Sequence, residues 1–178
     1  AELVHEFSCE INKAKQRWTL EQCRPAPRHL FEDVACFFGS KAHCLRSERV
    51  RHIPGASMIF LGFSCKDVSH LNVHSMEARD CIKQSSLRTG STLAGGFAYV
   101  RRHRPRLVIL ENVAALDDIS KSSGISNADE LFNMFRQEGY YLFAAMYDAR
   151  MHGAPQRRTR GWGVAMLMAE HPLDDEDV

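Results

Sequence analysis

Residues 57–65 read SMIFLGFSC, an apolar run that breaks at a glycine and ends in a cysteine. A short apolar run of this kind is typical of a strand buried within a sheet. On both sides of it, apolar stretches of strand length alternate with stretches of helical length. This alternation indicates helices layered on a mainly parallel sheet, so we predict an α/β fold.

The clearest strand elsewhere in the chain is RLVILENV, and the clearest helix begins at Ser126 or Asn127 and stops at Gly139. In order, we predict a strand at 2–10, a helix at 11–23, a strand and loop at 29–38, a strand at 57–65, a helix at 91–103, a strand at 106–113, a helix at 126–139, and strands at 140–149 and 161–169.

The chain has 178 residues, of which 44% are hydrophobic and 25% are charged, which is typical of one globular domain. Its apolar runs are shorter than the roughly 18 to 20 residues of a membrane span. The first residues also lack the basic and apolar regions of a signal peptide. We therefore expect a single soluble domain at 1–170 and a solvated acidic tail at 171–178.

The cysteine and histidine spacing predicts no metal site. Six cysteines are scattered without a CxxC pair, and His70 and His74 have no third ligand nearby in sequence. We expect these thiols to stay reduced.

The net charge is only +1, so a nucleic-acid partner would have to bind a local basic patch. Two such patches occur, RRHRPR at 101–106 and QRRTR at 156–160. In an extended segment Gln156, Arg158 and Arg160 would face the same side, which suits phosphate and base-edge contacts. A solvated basic face is the simpler alternative.

Four predicted strand ends carry reactive side chains: Glu10, Asp33, Cys65 and Glu111. Ligands of open α/β sheets collect at these carboxyl ends. The thiol of Cys65 would be a nucleophile as thiolate, a form that Lys66 would favour, although a buried structural cysteine is the alternative. A carboxyl at the edge of an apolar sheet, like that of Glu111, can have a raised pKa and donate a proton.

Taken in order, these segments resemble the motifs of the cytosine-C5 methyltransferases, which transfer a methyl group from S-adenosylmethionine to cytosine. The resemblance implies a Rossmann-like methyltransferase fold with helices on both faces of a mostly parallel sheet. The matching segments are EFSCEINKAKQRW at 6–18, FEDV at 31–34, FSCKDVS at 63–69, TGSTL at 89–93, LVILENV at 107–113 and YDARMHGAPQRRTRGWGV at 147–164.

The resemblance also implies that S-adenosyl-L-methionine is the cofactor. Glu10 would hold its ribose, and Ile11 would pack on the adenine. Asp33 would contact the adenine amino group with Val34 beside it, and Leu93 would line the same pocket.

Catalytic roles come from the same resemblance. Cytosine C5 is a poor nucleophile, so the family first adds a thiolate, here Cys65, to C6. Glu111 would then serve N3 of the ring, Arg160 would hold the base carbonyl, Arg158 the flanking phosphate and Gln156 the loop. The other substrate-binding positions that the resemblance implies are Ser69 and Asn112.

The chain departs from the family pattern in several places. The Phe-x-Gly-x-Gly motif and the strand before it would precede residue 1, so we expect a fold truncated at its N-terminus and without the centre of its sheet. The final stretch, GWGVAMLMAEHPLDDEDV at 161–178, also leaves no room for a target-recognition domain or for the family's last motif, so we expect neither here. Ser64 replaces a proline, which predicts a looser nucleophile loop, and Lys66 replaces a glutamine.

Three functions stay open at this stage. The first is a DNA cytosine-C5 methyltransferase that flips its target base out of the duplex. The second is a transfer-RNA methyltransferase with the same motifs, and the third is a non-catalytic regulatory or degenerate remnant. A DNA enzyme would be found in the nucleus of a eukaryote, or otherwise in the cytoplasm with the chromosome. The resemblance implies neither a membrane nor a metal partner.

Overall fold

The structure is a computed structural model, and it describes residues 3–67, 82, 88–119 and 124–168. These residues form three α-helices and eight strands. The helices are α1 (Lys13–Gln22), α2 (Arg88–His103) and α3 (Asn127–Gln137), and the strands are β1 (Phe7–Cys9), β2 (His29–Phe31), β3 (Lys41–Cys44), β4 (Arg49–His52), β5 (Met58–Gly62), β6 (Leu107–Val113), β7 (Tyr140–Asp148) and β8 (Thr159–Leu167).

The strands form two four-stranded sheets, with the orders β1-β2-β3-β4 and β5-β6-β8-β7. The pairs β1–β2 and β5–β6 are parallel, and the other pairs are antiparallel. The predicted α/β class is confirmed, but the sheet is divided and mixed rather than single and mainly parallel. The β3–β4 hairpin was not predicted, because its residues are largely polar and β4 is exposed throughout.

Helix α2 packs against both sheets, and two glycines allow the close approach. A Cβ atom on Gly95 would lie 2.7 Å from the carbonyl oxygen of Val34, which follows β2. A Cβ atom on Gly96 would lie 2.5 Å from Cδ1 of Leu61 in β5. Glycine is therefore required at both positions for the helix to lie this close to its neighbours.

The RRHRPR segment has a structural role at the end of α2. The guanidinium of Arg102 donates to the carbonyl oxygens of Phe37 and Phe38 at 3.3 and 2.9 Å, and to that of Gly39. These carbonyls end a 3-10 helix, Val34–Phe38. Arg101 pairs with Glu138 at 2.6 Å. Arg101 and Arg102 thus bind other segments of the same chain.

Helix α3 begins and ends as predicted. Ser126 and Asp129 form a capping box, and Gly139 follows the helix with a φ of 77°. The N–H and hydroxyl of Ser126 hold the pKa of Asp129 below its ordinary value. Phe135 packs edge-on against Phe97 of α2, so both helices cover the same face of the second sheet.

The opposite face of the second sheet is not covered by a described helix. It carries Phe60, Phe143 and Trp162, whose exposed fractions are 66%, 57% and 40%. The register places Phe60, Ile109, Val164 and Phe143 in one row across four strands.

Among the described helices, none is both long and apolar enough to cross a membrane.

Candidate active site

A groove of about 910 Å³ lies between the two sheets. Strand β1 and the residues around it line one side, and β5 lines the other. Four of the five residues predicted to hold a cofactor line this groove, and they are Glu10, Ile11, Asp33 and Val34. The cofactor predictions therefore converge on one cavity.

Glu10 lies directly after β1 and is held in place by its neighbours. Its carboxylate accepts a hydrogen bond from the N–H of Asn12 at 2.8 Å and lies 3.9 Å from Nζ of Lys15. Ile11 beside it is 69% exposed. A fixed carboxylate can accept hydrogen bonds from sugar hydroxyls, and an exposed apolar side chain beside it can cover one face of a flat ring.

Asp33 lies two residues after the end of the neighbouring parallel strand β2, whereas Glu10 directly follows β1. Its Oδ1 accepts from the N–H of Ala35 at 2.8 Å and thereby caps the 3-10 helix that follows. The N–H of Glu10 donates to the carbonyl of Phe31 at 3.1 Å, so the two strand ends lie side by side. Both acids thus lie at the carboxyl ends of the parallel strands β1 and β2.

Leu93 does not occupy the position that the sequence predicted for it. Its side chain is 0% exposed and belongs to the hydrophobic core, whereas the neighbouring Thr92 lines the groove. On a helix, adjacent residues point about 100° apart, which lets Thr92 face the groove while Leu93 points into the core.

The loop that carries Cys65 is tied down by hydrogen bonds at three points. The N–H of Ser64 donates to Oγ1 of Thr92 at 2.9 Å, and the carbonyl of Phe63 accepts from Asn112 at 3.2 Å. The third tether joins the N–H of Thr89 to the carboxylate of Asp67 at 2.6 Å. Cys65 itself is half-buried, so its thiol is held without being enclosed.

Ser64 gives the Cys65 loop a backbone donor. Proline has no N–H and could not make the hydrogen bond to Thr92. The tether replaces the rigidity of a proline ring by a hydrogen bond to α2, which the sequence alone did not indicate.

Glu111 and Arg160 form an ion pair between β6 and β8, the two central strands of the second sheet. Nε of Arg160 lies 3.0 Å from Oε1 of Glu111, and the two side chains are 28% and 34% exposed. In the register, Glu111 lies beside Gly62 of β5, three residues before Cys65. The structure therefore brings the two predicted catalytic residues Glu111 and Arg160 together, at the strand end from which the Cys65 loop departs.

Asn112 is 4% exposed, and both ends of its amide are used inside the protein. Besides the bond to Phe63, its Oδ1 accepts from the N–H of Val113 at 2.8 Å. Its position supports a role in holding the Cys65 loop rather than in direct contact with a substrate. The sequence offered no signal for the roles of Asn112 and Thr92 as tethers, because each depends on a partner far along the chain.

The segment that carries Gln156 and Arg158 is organised by Asp148. The carboxylate accepts from the N–H groups of Arg150 at 3.0 Å and Arg158 at 3.3 Å. The first of these bonds is the main reason why the pKa of Asp148 is held below its ordinary value, and Arg157 adds to the effect. Gln156 and Arg158 are exposed, as contacts to a polyanion would require.

The prediction for Ser69 lies outside the described residues, as do those for His70, His74 and the acidic tail. In the part of the chain that the structure describes, three or more His, Cys, Asp or Glu side chains do not come together in a group that could hold a metal ion.

Comparison with known proteins identifies relatives of this arrangement. Residues 37–174 match the family of C-5 cytosine-specific DNA methylases. The DNA (cytosine-5-)-methyltransferase DMT5 of Cryptococcus neoformans var. grubii is 30% identical over 141 residues, which make up 78% of this chain and 6% of that protein. The chain thus spans only a small part of its curated relative.

Two solved structures share the fold. The Dnmt2 methyltransferase of S. pombe has a TM-score of 0.57 at 14% identity, over 93% of this chain and 43% of that one. An E. coli prophage protein assigned as a DNA modification methyltransferase has a TM-score of 0.55 at 19% identity, over 91% and 40% of the two chains. The methyltransferase fold predicted from the sequence is therefore confirmed, in a chain that spans less than half of each neighbour.

Proposed function

The chain belongs to the C-5 cytosine-specific DNA methylase family, and from this premise we propose that it transfers a methyl group from S-adenosylmethionine to C5 of cytosine in DNA. The observation that carries the proposal is the tethered Cys65 loop beside the Glu111–Arg160 pair. A positioned thiol, a carboxyl group and a guanidinium are the three groups that addition to a cytosine ring requires.

The groove between the sheets fits S-adenosylmethionine on the basis of its side chains. The carboxylates of Glu10 and Asp33 are available for ribose hydroxyls and an adenine amino group, and Ile11 and Val34 offer apolar contacts. When bound, the cofactor supplies an electrophilic methyl group on a sulfonium. The four residues named here would hold and orient it.

Cys65 would act first, as a thiolate that forms a bond to C6 of the flipped cytosine. In its protonated form, Glu111 would donate a proton or hydrogen bond to N3 and stabilise the electron density that moves onto the ring. Carbon C5 then becomes nucleophilic enough to accept the methyl group. A base removes the C5 proton, and the Cys65–C6 bond breaks to regenerate the thiolate.

Arg160 can donate hydrogen bonds to a substrate while it stays paired with Glu111. A guanidinium carries five N–H donors, and the bonds to Glu111 and to the carbonyl of Thr159 at 2.9 Å do not exhaust them. Arg160 would hold the base carbonyl, while Arg158 would bind the flanking phosphate and Gln156 would support the loop. In a eukaryotic cell, such an enzyme would act on DNA in the nucleus.

The test is mechanism-based trapping. The protein is incubated with S-adenosylmethionine and DNA that contains 5-fluorocytosine, whose fluorine blocks the elimination step, and the product is analysed by denaturing gel and peptide mass. We expect an adduct on Cys65 that Cys65→Ala abolishes.

Parallel reactions decide between the three functions. An adduct formed with 5-fluorocytosine RNA in preference to DNA would replace the DNA proposal by the RNA alternative. If neither nucleic acid gives an adduct, with this chain or with a version extended N-terminally through the glycine motif, the chain is a non-catalytic remnant.

A further inference from the structure

The β3–β4 hairpin, residues 41–52, concentrates positive charge within twelve residues. It contains three arginines, one lysine and two histidines, but a single acid, Glu48. With the histidines neutral, the four arginines and lysines against one glutamate give the hairpin a charge of +3, whereas the whole chain carries +1. This part of the surface therefore attracts anions more strongly than the net charge of the chain indicates.

The basic side chains of the hairpin lie in solvent. All four residues of β4 are exposed, and so are Lys41 and His43 of β3. Arg49 and Arg51 are two residues apart on β4, so they leave the same face of the strand about 7 Å from each other. A large ligand can thus reach several cations of the hairpin at once.

The hairpin cations differ from other exposed cations in their lack of acidic partners. Three cations on α1 and before β2 are each paired with an acid: Lys15 with Glu10, Arg17 with Glu21 and Arg28 with Glu6. In the part of the chain that the structure describes, Lys41, Arg49 and Arg51 form no ion pair with a carboxylate. Their charge is therefore available to an anionic partner.

The hairpin is held at both of its ends. At its base, the N–H of Ile53 donates to the carbonyl of Ser40 at 3.0 Å, and the side chain of Ile53 is buried. Arg102 of α2 binds the carbonyls that end the preceding 3-10 helix. At the other end, the buried Cys44 pairs with Phe31 of β2. A partner would thus meet cations on an ordered ribbon, which lowers the entropic cost of binding.

Strand β4 runs in the same direction as β1 and β2, because β3 is antiparallel to both of its neighbours. Helix α2 runs opposite to these strands. Its Gly95 lies against Val34, just after β2 ends, and four residues later the ring of Tyr99 lies 5.1 Å from that of Phe7, where β1 begins.

The same helix also runs opposite to β5 of the second sheet. Gly96 lies against Leu61, near the end of β5, and the hydroxyl of Tyr99 donates to the carbonyl of Pro54 at 2.9 Å, just before β5 begins. Strands β4 and β5 therefore run in the same direction. The carboxyl end of β4, at His52, thus lies on the same side of the molecule as the Cys65 loop.

Duplex DNA fits this surface in charge and in placement. A duplex carries one negative charge for about every 1.7 Å of its axis, so cations that bind it displace many counterions. A duplex whose target base reaches Cys65 continues on both sides of that base. It would lie over the carboxyl ends of the strands, where β4 also ends.

We propose that the β3–β4 hairpin binds the phosphate backbone of duplex DNA through Lys41, Arg49 and Arg51. The choice of DNA rests on the proposed function, whereas the charge of the hairpin does not. Phosphate contacts carry no sequence information, so the hairpin would orient the duplex and add affinity at any sequence. Exposed cations can also serve to keep an edge strand from pairing with another chain, and the two explanations predict different effects of charge removal.

The test removes the three charges together. The variant Lys41→Gln, Arg49→Gln, Arg51→Gln is titrated against a fluorescein-labelled duplex of about 20 base pairs, and binding is followed by fluorescence anisotropy at several salt concentrations. We expect the affinity at low salt to fall at least about tenfold. The slope of log affinity against log salt concentration should fall by about 2 to 3, because each lost phosphate contact lowers it by about 1.

The matched control removes the same number of charges of the same kinds from another surface. The variant Lys15→Gln, Arg17→Gln, Arg28→Gln loses one lysine and two arginines whose charges are already paired with acids. We expect its affinity to stay close to that of the unaltered chain. Equal weakening by both triple variants would reduce the effect to net charge and overturn the proposal.

Further outcomes would also overturn it. If the hairpin variant binds DNA as tightly as the unaltered chain, or forms dimers in sedimentation without loss of affinity, the cations only protect the edge strand. Absence of DNA binding by the unaltered chain at low salt would exclude the proposal. Tighter binding of duplex RNA through the same three residues would overturn the choice of DNA.

A charge-preserving variant separates charge from folding. Lys41→Arg, Arg49→Lys, Arg51→Lys should bind DNA nearly as tightly as the unaltered chain, and a loss as large as that of the neutral variant would contradict the proposal. Circular dichroism reports whether each variant folds. If the neutral triple variant does not fold, Arg49→Gln and Arg51→Gln decide singly, each with a salt slope lower by about 1.

Trapping with 5-fluorocytosine DNA distinguishes this proposal from the proposed function. Hairpin-dependent DNA binding without an adduct on Cys65 would support the hairpin and count against methyl transfer by this chain. An adduct on Cys65 together with equal DNA affinity of the hairpin variant would support methyl transfer and overturn the hairpin proposal.

Discussion

The loop around Cys65 and the strand ends at Glu10 and Asp33 carry predicted functions, yet the structure holds them differently. Hydrogen bonds at three points tie the Cys65 loop to α2 and β6, whose residues lie far along the chain. The carboxylates of the two acids accept hydrogen bonds from the N–H groups of Asn12 and Ala35, two residues further on. The predicted catalytic residues are therefore positioned by long-range contacts, whereas the predicted cofactor-binding acids are positioned by local ones.

The largest expected effect comes from Glu111 and Arg160, the ion pair near the Cys65 loop. Glu111→Gln keeps the size of the side chain but removes its proton-donating and ionic functions. We expect the rate of adduct formation with 5-fluorocytosine DNA to fall by about 10² to 10⁴, the usual contribution of a general acid. Arg160→Gln should also lower this rate, and a Glu111→Gln variant that retains the full rate would exclude Glu111 from the chemistry.

The next effect tests the cofactor side. Glu10→Ala removes one charged acceptor from the groove, and such hydrogen bonds contribute about 1.5 to 3 kcal/mol. We expect S-adenosylmethionine to bind about 10 to 100 times more weakly in calorimetry.

Glu32→Ala is the matched control for Glu10→Ala, since Glu32 is an exposed acid paired with Lys13 and does not line the groove. If both substitutions weaken binding equally, the effect is one of overall charge, and the assignment of Glu10 fails.

A smaller effect is expected when the hydrogen bond between Thr92 and the Cys65 loop is removed. Thr92→Val keeps the shape of the side chain but removes the acceptor of the Ser64 N–H, at a cost of about 1 to 3 kcal/mol for an unsatisfied group. We expect slower trapping and altered kinetics of Cys65 alkylation by iodoacetamide, with the fold retained.

The double variant Ser64→Pro, Thr92→Val separates this explanation from simple loss of packing. Proline removes the N–H that needs a partner and stiffens the loop, so the double variant should recover most of the trapping rate. A double variant worse than either single one would contradict the tether.

The smallest effect concerns acid stability. The pKa of Asp148 is lowered by the Arg150 N–H, so its contribution is present above the ordinary aspartate pKa of about 3.9 and is lost as pH falls through the folded value. We expect urea unfolding to show declining stability below about pH 4. In Asp148→Asn this part of the decline should be absent, and an unchanged pH profile would show that the carboxylate does not stabilise its loop.

Local patterns predicted much of the molecule. The apolar runs of β5 and β6 and the capping residues of α3 were recognisable because each depends on contiguous residues. The motifs around Cys65, Glu111 and Arg160 also pointed to one family, and residues 37–174 match it. In contrast, the β3–β4 hairpin was missed because exposed polar strands carry no periodic signal.

The α/β class, the family and the chemical identity of the candidate site residues followed from the amino-acid sequence. Three features emerged only from the fold: Thr92 rather than Leu93 faces the groove, Ser64 is tethered, and Glu111 pairs with Arg160. The division of the described strands into two sheets also emerged only from the fold. The physical reason is that burial, ion pairing and strand pairing depend on partners far apart in sequence, which no local pattern can specify.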